Sequence, residues 1–206
     1  GLVFNGQITL VLAAGQTASF TDCIFNTSGG SYCINCHGNA GSVLIQYCEM
    51  KNPGSCFVYG SHYTVQYCNC HDSVADGFKP EDNCLIQYNY VTALGKSSES
   101  NPSPHADGVQ VESGLGQNIT IRGNNFDDGA DVHCNSNLIV RWASAKDITF
   151  DGNYCGGGNY CIYILLTTSP TTIRVTNNQL SNARYGPFDM TSGVVKSGNT
   201  YNGKPV

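Results

Sequence analysis

The chain has 206 residues, which fits one domain spanning 1–206. Only 12% of them are charged and the net charge is −5, so a nucleic-acid partner is disfavoured on electrostatic grounds. No apolar run approaches the ~18–20 residues that span a bilayer, so membrane insertion is not expected, and Gly1 as first residue reads as a mature or excised fragment.

Taken in chain order, seven stretches repeat one pattern: SFTDCIF (19–25), LIQYCEM (44–50), TVQYCNC (64–70), LIQYNYV (85–91), TIRGNNF (120–126), TFDGNYC (149–155) and RVTNNQL (174–180). One apolar column reads Phe20, Ile45, Val65, Ile86, Ile121, Phe150, Val175. Three residues on, the column is Cys23, Cys48, Cys68, Asn89, Asn124, Asn153, Asn178; two further on it is apolar again, from Phe25 to Leu180. Between these lie CINC (33–36), CFVY (56–59), GFKP (77–80), GVQV (108–111), CIYI (161–164) and PFDM (187–190), with LIVRWA (138–143) as the missing rung. Their period-2 alternation predicts strands with one buried face, the inward column being Ile34, Phe57, Phe78, Val109, Ile162, Phe188.

Short strands with Gly and Asn bends cannot each bury a face alone, but stacked coils can. Helical periodicity is absent, and an antiparallel sandwich would not require like residues at one place in every repeat. The predicted fold is all-β, a single-stranded parallel β-helix of about seven coils. Like residues then stack about 4.8 Å apart. Asn at a bend tolerates unusual backbone angles and bonds the next Asn along. Cys in the same slot is a small buried side chain.

Eleven cysteines is an odd number, so at least one lacks an internal partner. Cys48–Cys68 and Cys33–Cys56 fall on neighbouring coils, near the Cα separation a disulfide needs; a column of free buried thiols is the equal alternative. Cys33-x-x-Cys36-His37 and Cys68-x-Cys70-His71 match zinc or haem spacing superficially, but the coil columns explain them better. His133 beside Cys134 is a weaker metal suggestion. Asn26-Thr27-Ser28 and Asn118-Ile119-Thr120 match the glycosylation sequon and hint at export.

The repeats NITIRGNNFD, DITFDGNYC and TTIRVTNNQL resemble those of the right-handed parallel β-helix, pectate-lyase-like superfamily. The run from DGFKPEDN through PHADGVQVESG to the ending SGNTYNGKPV resembles secreted bacterial and phage-encoded β-helix proteins carrying a His-x-Asp-Gly-aliphatic-Gln stretch. The resemblance covers most of the chain. It implies an extracellular location and a function among lyases, hydrolases, epimerases, tail spikes and adhesins.

The outward column beside the second strand set is expected to read Asn35, Val58, Lys79, Gln110, Tyr163, Asp189. The next reads His37, Gly60, Glu81, Glu112, Arg141, Leu165. ADG recurs at 75–77 and 106–108, so these are adjacent coils. Asp76 and Asp107 have inward parity and are expected to bond backbone amides at the bend. Lys79, Glu81, His105, Gln110, Glu112 and Arg141 form a polar patch, and the insertion at 93–105 would wall it. Carboxylates here could hold Ca²⁺ against a sugar uronate, with Lys79, His105 or Arg141 as base in β-elimination; a carboxylate pair could instead hydrolyse a glycosidic bond. Plain surface ion pairs, and for His105 a turn cap, are the structural alternatives. Gln46, Gln66 and Gln87, each followed by Tyr, form a second ladder, read as self-stabilising or as a contact for sugar rings.

The expected function is extracellular polysaccharide recognition, with cleavage of acidic glycans by a lyase reaction as the enzymatic form. The alternatives are a non-catalytic structural or receptor-binding module of tail-spike or adhesin type, and a self-assembling filament or coat subunit, hence a possible homo-oligomer.

Overall fold

The computed structural model describes residues 1–28, 30–95, 105–127, 134–167 and 172–206. Its strands are two to seven residues long. Successive strands visit three sheets in turn, so each sheet collects every third strand. The stacking is parallel throughout, apart from the closing strand Lys204–Pro205, which runs antiparallel to Thr200–Tyr201. The result is the expected parallel β-solenoid. The second sheet alone takes seven parallel steps through its eight strands: Ile8–Thr9, Tyr32–Cys36, Cys56–Gly60, Phe78–Pro80, Ala106–Val111, Cys134–Val140, Tyr160–Ile164 and Gly186–Met190.

The first sequence column is a true ladder. Phe20, Ile45, Val65, Ile86, Ile121, Phe150 and Val175 pair in register from coil to coil along the third sheet. From Ile45 onward each is fully buried, and each such side chain contributes roughly 1.5–3 kcal/mol of transfer free energy. The first sheet stacks Phe25, Met50, Cys70, Val91, Phe126, Cys155 and Leu180 in the same way.

The second sheet departs from the expected register at one rung. Val58, not Phe57, pairs with Ile34 and Phe78, so the inward column reads Ile34, Val58, Phe78, Val109, Leu138, Ile162, Phe188. Tyr59 takes the outward place assigned to Val58, and Ser61 follows in place of Gly60. The cause is local: Cys56, Phe57 and Val58 are all fully buried, so alternation cannot mark the register there.

The bend between the third and first sheets carries the polar spine. Asn89, Asn124, Asn153, Asn178 and Asn199 stand one per coil, all buried. Each Nδ2 but that of Asn199, the last, donates to the next Oδ1 at 2.9–3.1 Å. Each Oδ1 also accepts the backbone N–H of the preceding coil, as Asn124 does from Asn89 at 3.0 Å. Each Nδ2 takes a carbonyl there too, Ile86 in the case of Asn124, at 2.9 Å. Burying an amide is costly unless its donors and acceptors are met; here the stack meets them.

Cysteine continues this column. The Cys48 N–H donates to Cys68 Sγ at 3.5 Å, and the Cys23 N–H to Cys48 Sγ at 3.4 Å. All eleven cysteines are buried, and none is joined in a disulfide. The expected Cys48–Cys68 bridge is therefore corrected: its sulfurs act as acceptors in the Asn slots. The Cys33–Cys56 bridge is corrected by the register, which sets Cys56 opposite Tyr32.

The repeated Ala-Asp-Gly has a steric reason. A Cβ on Gly77 would lie 2.3 Å from the carbonyl oxygen of Gly108, and one on Gly108 would lie 2.6 Å from that of Asn137. Only glycine admits that approach between adjacent coils.

Candidate functional site

The Asp after each of those alanines is the centre of the best-developed polar cluster. Asp76 Oδ1 accepts the backbone N–H of Asp107 at 2.8 Å, the amide-capping task its parity suggested. Its Oδ2 takes the Lys79 ammonium at 2.9 Å. Asp107, one coil on, is fully buried. Its Oδ1 accepts from Ser136 Oγ at 2.5 Å and Asn135 Nδ2 at 2.8 Å. Its Oδ2 is buried with no hydrogen-bond partner among the described residues, and His105 Nδ1 lies 4.0 Å away. Burial, then the neighbouring Asp76 charge, push the Asp107 carboxyl up to about 6, against the lowering effect of Ser136 and Asn135. Asp76 is raised as well, chiefly by burial.

The cations are held in pairs. Burial works against the charge on Lys79, but Asp76 outweighs it and the pKa is raised. Lys79 also approaches Glu112 at 3.9 Å. Arg141 grips Glu112 Oε2 through Nε at 2.8 Å and Nη2 at 2.5 Å, and that hydrogen bonding raises its pKa. Neither group can give up a proton readily near neutrality. The structure thus brings Lys79, Glu112 and Arg141 into one chain of charges, with His105 and Asp107 as a separate pair on the same sheet.

Glu81 does not join them. Expected to project beside Lys79, it is only 4% exposed. It bonds His37 Nδ1 at 2.9 Å two coils back, across Ser61, whose Oγ donates to it at 3.3 Å. The small Ser61 leaves that path open. His37 stacks on Tyr59, centroids 5.3 Å apart, and Tyr59 on Tyr32 at 5.0 Å. Burial, then the Glu81 charge, push the Tyr59 phenol up to about 12. Gln110, outward by parity, is also buried, and its Oε1 has no hydrogen-bond partner among the described residues. Cys36 is inward while His37 is outward, so they cannot share a metal. Among the described residues no group of three His, Cys, Asp or Glu side chains could hold a metal. The wall expected at 93–105 falls largely on residues 96–104, and His133 with it lies outside the described residues.

Gln46, Gln66 and Gln87 sit on a different wall, in register along the third sheet. Gln66 Nε2 donates to Gln46 at 2.9 Å, Gln87 to Gln66 at 2.6 Å, and Arg122 Nε to Gln87 at 2.8 Å. Tyr47, Tyr67 and Tyr88 follow as an exposed stack, centroids 5.3 Å apart at each step, with Arg122 over the Tyr88 ring. All three have positive φ, near 55°. Other coils fill that place with Asp22, Gly123, Gly152, Asn177 and Gly198, residues that adopt it readily.

Sequence reasoning missed Asn135 and Ser136, which face Asp107, and Tyr59, hidden by the register slip. It also passed over Trp142, 40% exposed, whose Nε1 donates to the Gly114 carbonyl at 2.7 Å. Its place directly after Arg141 was the available signal.

Fold and site together define a parallel β-solenoid with a charged outer face on one sheet. No protein-family profile matches the chain, and no curated protein matches it. Among solved structures it is similar to an alginate lyase from Paenibacillus sp. str. FPU-7, at 13% identity and a TM-score of 0.43. That match covers 96% of this chain and 89% of the other.

Proposed function

We propose that this is an extracellular polysaccharide-binding solenoid whose second-sheet face acts on acidic glycans by β-elimination. One observation carries the reading: an imidazole, His105, stands 4.0 Å from a buried carboxylate oxygen that lacks a hydrogen-bond partner among the described residues, beside a run of paired charges. His105 is 65% exposed on its side chain and takes the role of base. It removes the C5 proton of a uronate; the C5–H electron pair forms the C4=C5 double bond, the C4–O bond breaks with its pair on oxygen, and the leaving oxygen takes a proton from water. The imidazolium so formed gives Asp107 Oδ2 the partner it lacks. Lys79 and Arg141, both held as cations, serve as contacts for the uronate carboxylate rather than as bases. Glu112 is the carboxylate that would hold a Ca²⁺ ion if one takes part, and the ion would add positive charge for the uronate carboxylate. Glu81, Gln110 and the Gln46–Gln66–Gln87 ladder remain candidate substrate contacts.

The test is incubation with uronate polysaccharides, with and without Ca²⁺, reading the ultraviolet absorbance of the unsaturated product. The parent forms product and His105→Ala does not. Silence of the parent across a broad panel overturns the reaction.

One observation favours a second reading, a non-catalytic receptor-binding or structural module. The charges of Asp76, Lys79, Glu112 and Arg141 compensate each other within the patch, as a stabilising surface network would. Glycan binding without product distinguishes it.

A further inference from the structure

Trp142 is the only tryptophan of the chain. It begins the turn after the strand Cys134–Val140. A large indole left 40% exposed loses the burial that usually stabilises it, yet this one is not loose: its Nε1–H is fixed on the Gly114 carbonyl at 2.7 Å. Arg141 leans the same way. Its guanidinium lies on Glu112, two residues before Gly114 in the same turn of the preceding coil. The indole and the cation are therefore both anchored on one short turn, 112–114. Exposed Leu115 and Leu165 border it: Ser144 Oγ bonds the Leu115 carbonyl at 3.1 Å, and the Leu165 N–H bonds the Val140 carbonyl at 2.8 Å. Glu112 engages two nitrogens of the guanidinium, and the Arg141 side chain is 52% exposed, so the remaining nitrogen is available to a ligand.

A flat apolar face beside a cation suits one chemical class: a sugar acid. The apolar face of the pyranose stacks on the aromatic ring, and its carboxylate meets the guanidinium. A neutral sugar would use only the first contact, and an aliphatic acid only the second. We propose that Trp142 and Arg141 form a uronate platform, the point at which the polysaccharide is anchored to the solenoid. The inference rests on the acidic-glycan reading above but needs no turnover.

The experiment reads the emission of Trp142 while the protein is titrated with polyuronate or with a neutral polysaccharide. Affinity electrophoresis in the same polymers runs in parallel. Polyuronate is expected to shift or quench the emission, and the neutral polymer to do so only weakly. Arg141→Gln is expected to weaken polyuronate binding by roughly tenfold, the scale of one charge-assisted contact. Trp142→Ala is expected to lose retardation in both gels, and Trp142→Phe, which keeps a ring, to retain most of it. Unchanged emission with a polymer that electrophoresis finds bound overturns the platform. So does unchanged affinity of Arg141→Gln, or a panel in which no polyuronate binds. Emission that responds without unsaturated product removes the reaction and keeps the platform; product with silent emission does the reverse.

Discussion

The backbone N–H of Asp107 donates to the carboxylate of Asp76 on the preceding coil at 2.8 Å, which sets two acids on adjacent rungs of one wall. The pair makes stability depend on pH with a definite sign. Asp107 titrates near 6 in the folded chain, against about 3.9 in an unfolded one. The native state therefore binds more protons than the unfolded state across that interval, and stability falls as pH rises through it. The contribution is fully present below about pH 4 and lost above about pH 6, and is on the order of 3 kcal/mol. The raised Asp76 acts in the same direction. Melting temperatures at pH 4 to 7 should decline more steeply for the parent than for Asp107→Asn. Parallel curves would remove Asp107 from this role.

The glycines of the repeated Ala-Asp-Gly are expected to be intolerant. Gly77→Ala would drive a methyl to 2.3 Å from the Gly108 carbonyl, and should cost at least about 3 kcal/mol, the overpacking range. Gly203, which has open space around its Cβ direction but a φ of 76°, should cost only about 1 kcal/mol as alanine. Urea midpoints of the two variants give the comparison; equal losses would mean the coils separate easily.

Asparagine and cysteine share one slot, so they should substitute for each other better than alanine does. Asn124→Ala removes partners from the Asn89 N–H and the Ile86 carbonyl, both buried, at about 2–4 kcal/mol. Asn124→Cys keeps an acceptor and should recover part of that loss. Denaturant unfolding of both decides it.

The thiols offer a direct count. In denaturant without reductant, alkylation followed by mass measurement should find eleven modified cysteines; nine would mean a bridge. Hydrogen bonding from Cys68 brings Cys48 down to about 7, despite its burial. In a partial reaction of the folded protein Cys48 should therefore label before Cys33, which burial pushes up to about 11.

The tyrosine stack is expected to be nearly neutral in stability. Tyr67→Gly relieves a positive φ of 55° but loses two ring contacts, and the two effects, each about 1 kcal/mol, oppose one another. Tyr67→Val keeps the strain, loses the rings and should cost about 2 kcal/mol. Calorimetry separates them.

The winding was legible because it repeats. Ile45, Val65 and Ile86 are equivalent, and seven copies of a pattern outweigh the ambiguity of any one. Asn89 to Asn178 could be lined up for the same reason. Legibility ended where burial was continuous: Cys56, Phe57 and Val58 give no alternation, so Tyr59 was set facing the wrong way. It ended also where a contact skips a coil. Glu81 and Lys79 share a strand side by parity, but the small Ser61 opens a path to His37 that no spacing rule contains. The buried partners of Asp107, Asn135 and Ser136, come from a strand whose register was the least certain.

The asparagine spine has an orientation. Asn124 satisfies the amide of Asn89 and the carbonyl of Ile86, and Asn199 does the same for Asn178 and Val175. Every turn is thus fastened by the one synthesised after it. A nascent chain must keep its newest loop provisional until the following one emerges, and damage near Asn199 should loosen the structure backward, turn by turn, like a zip opened from its slider.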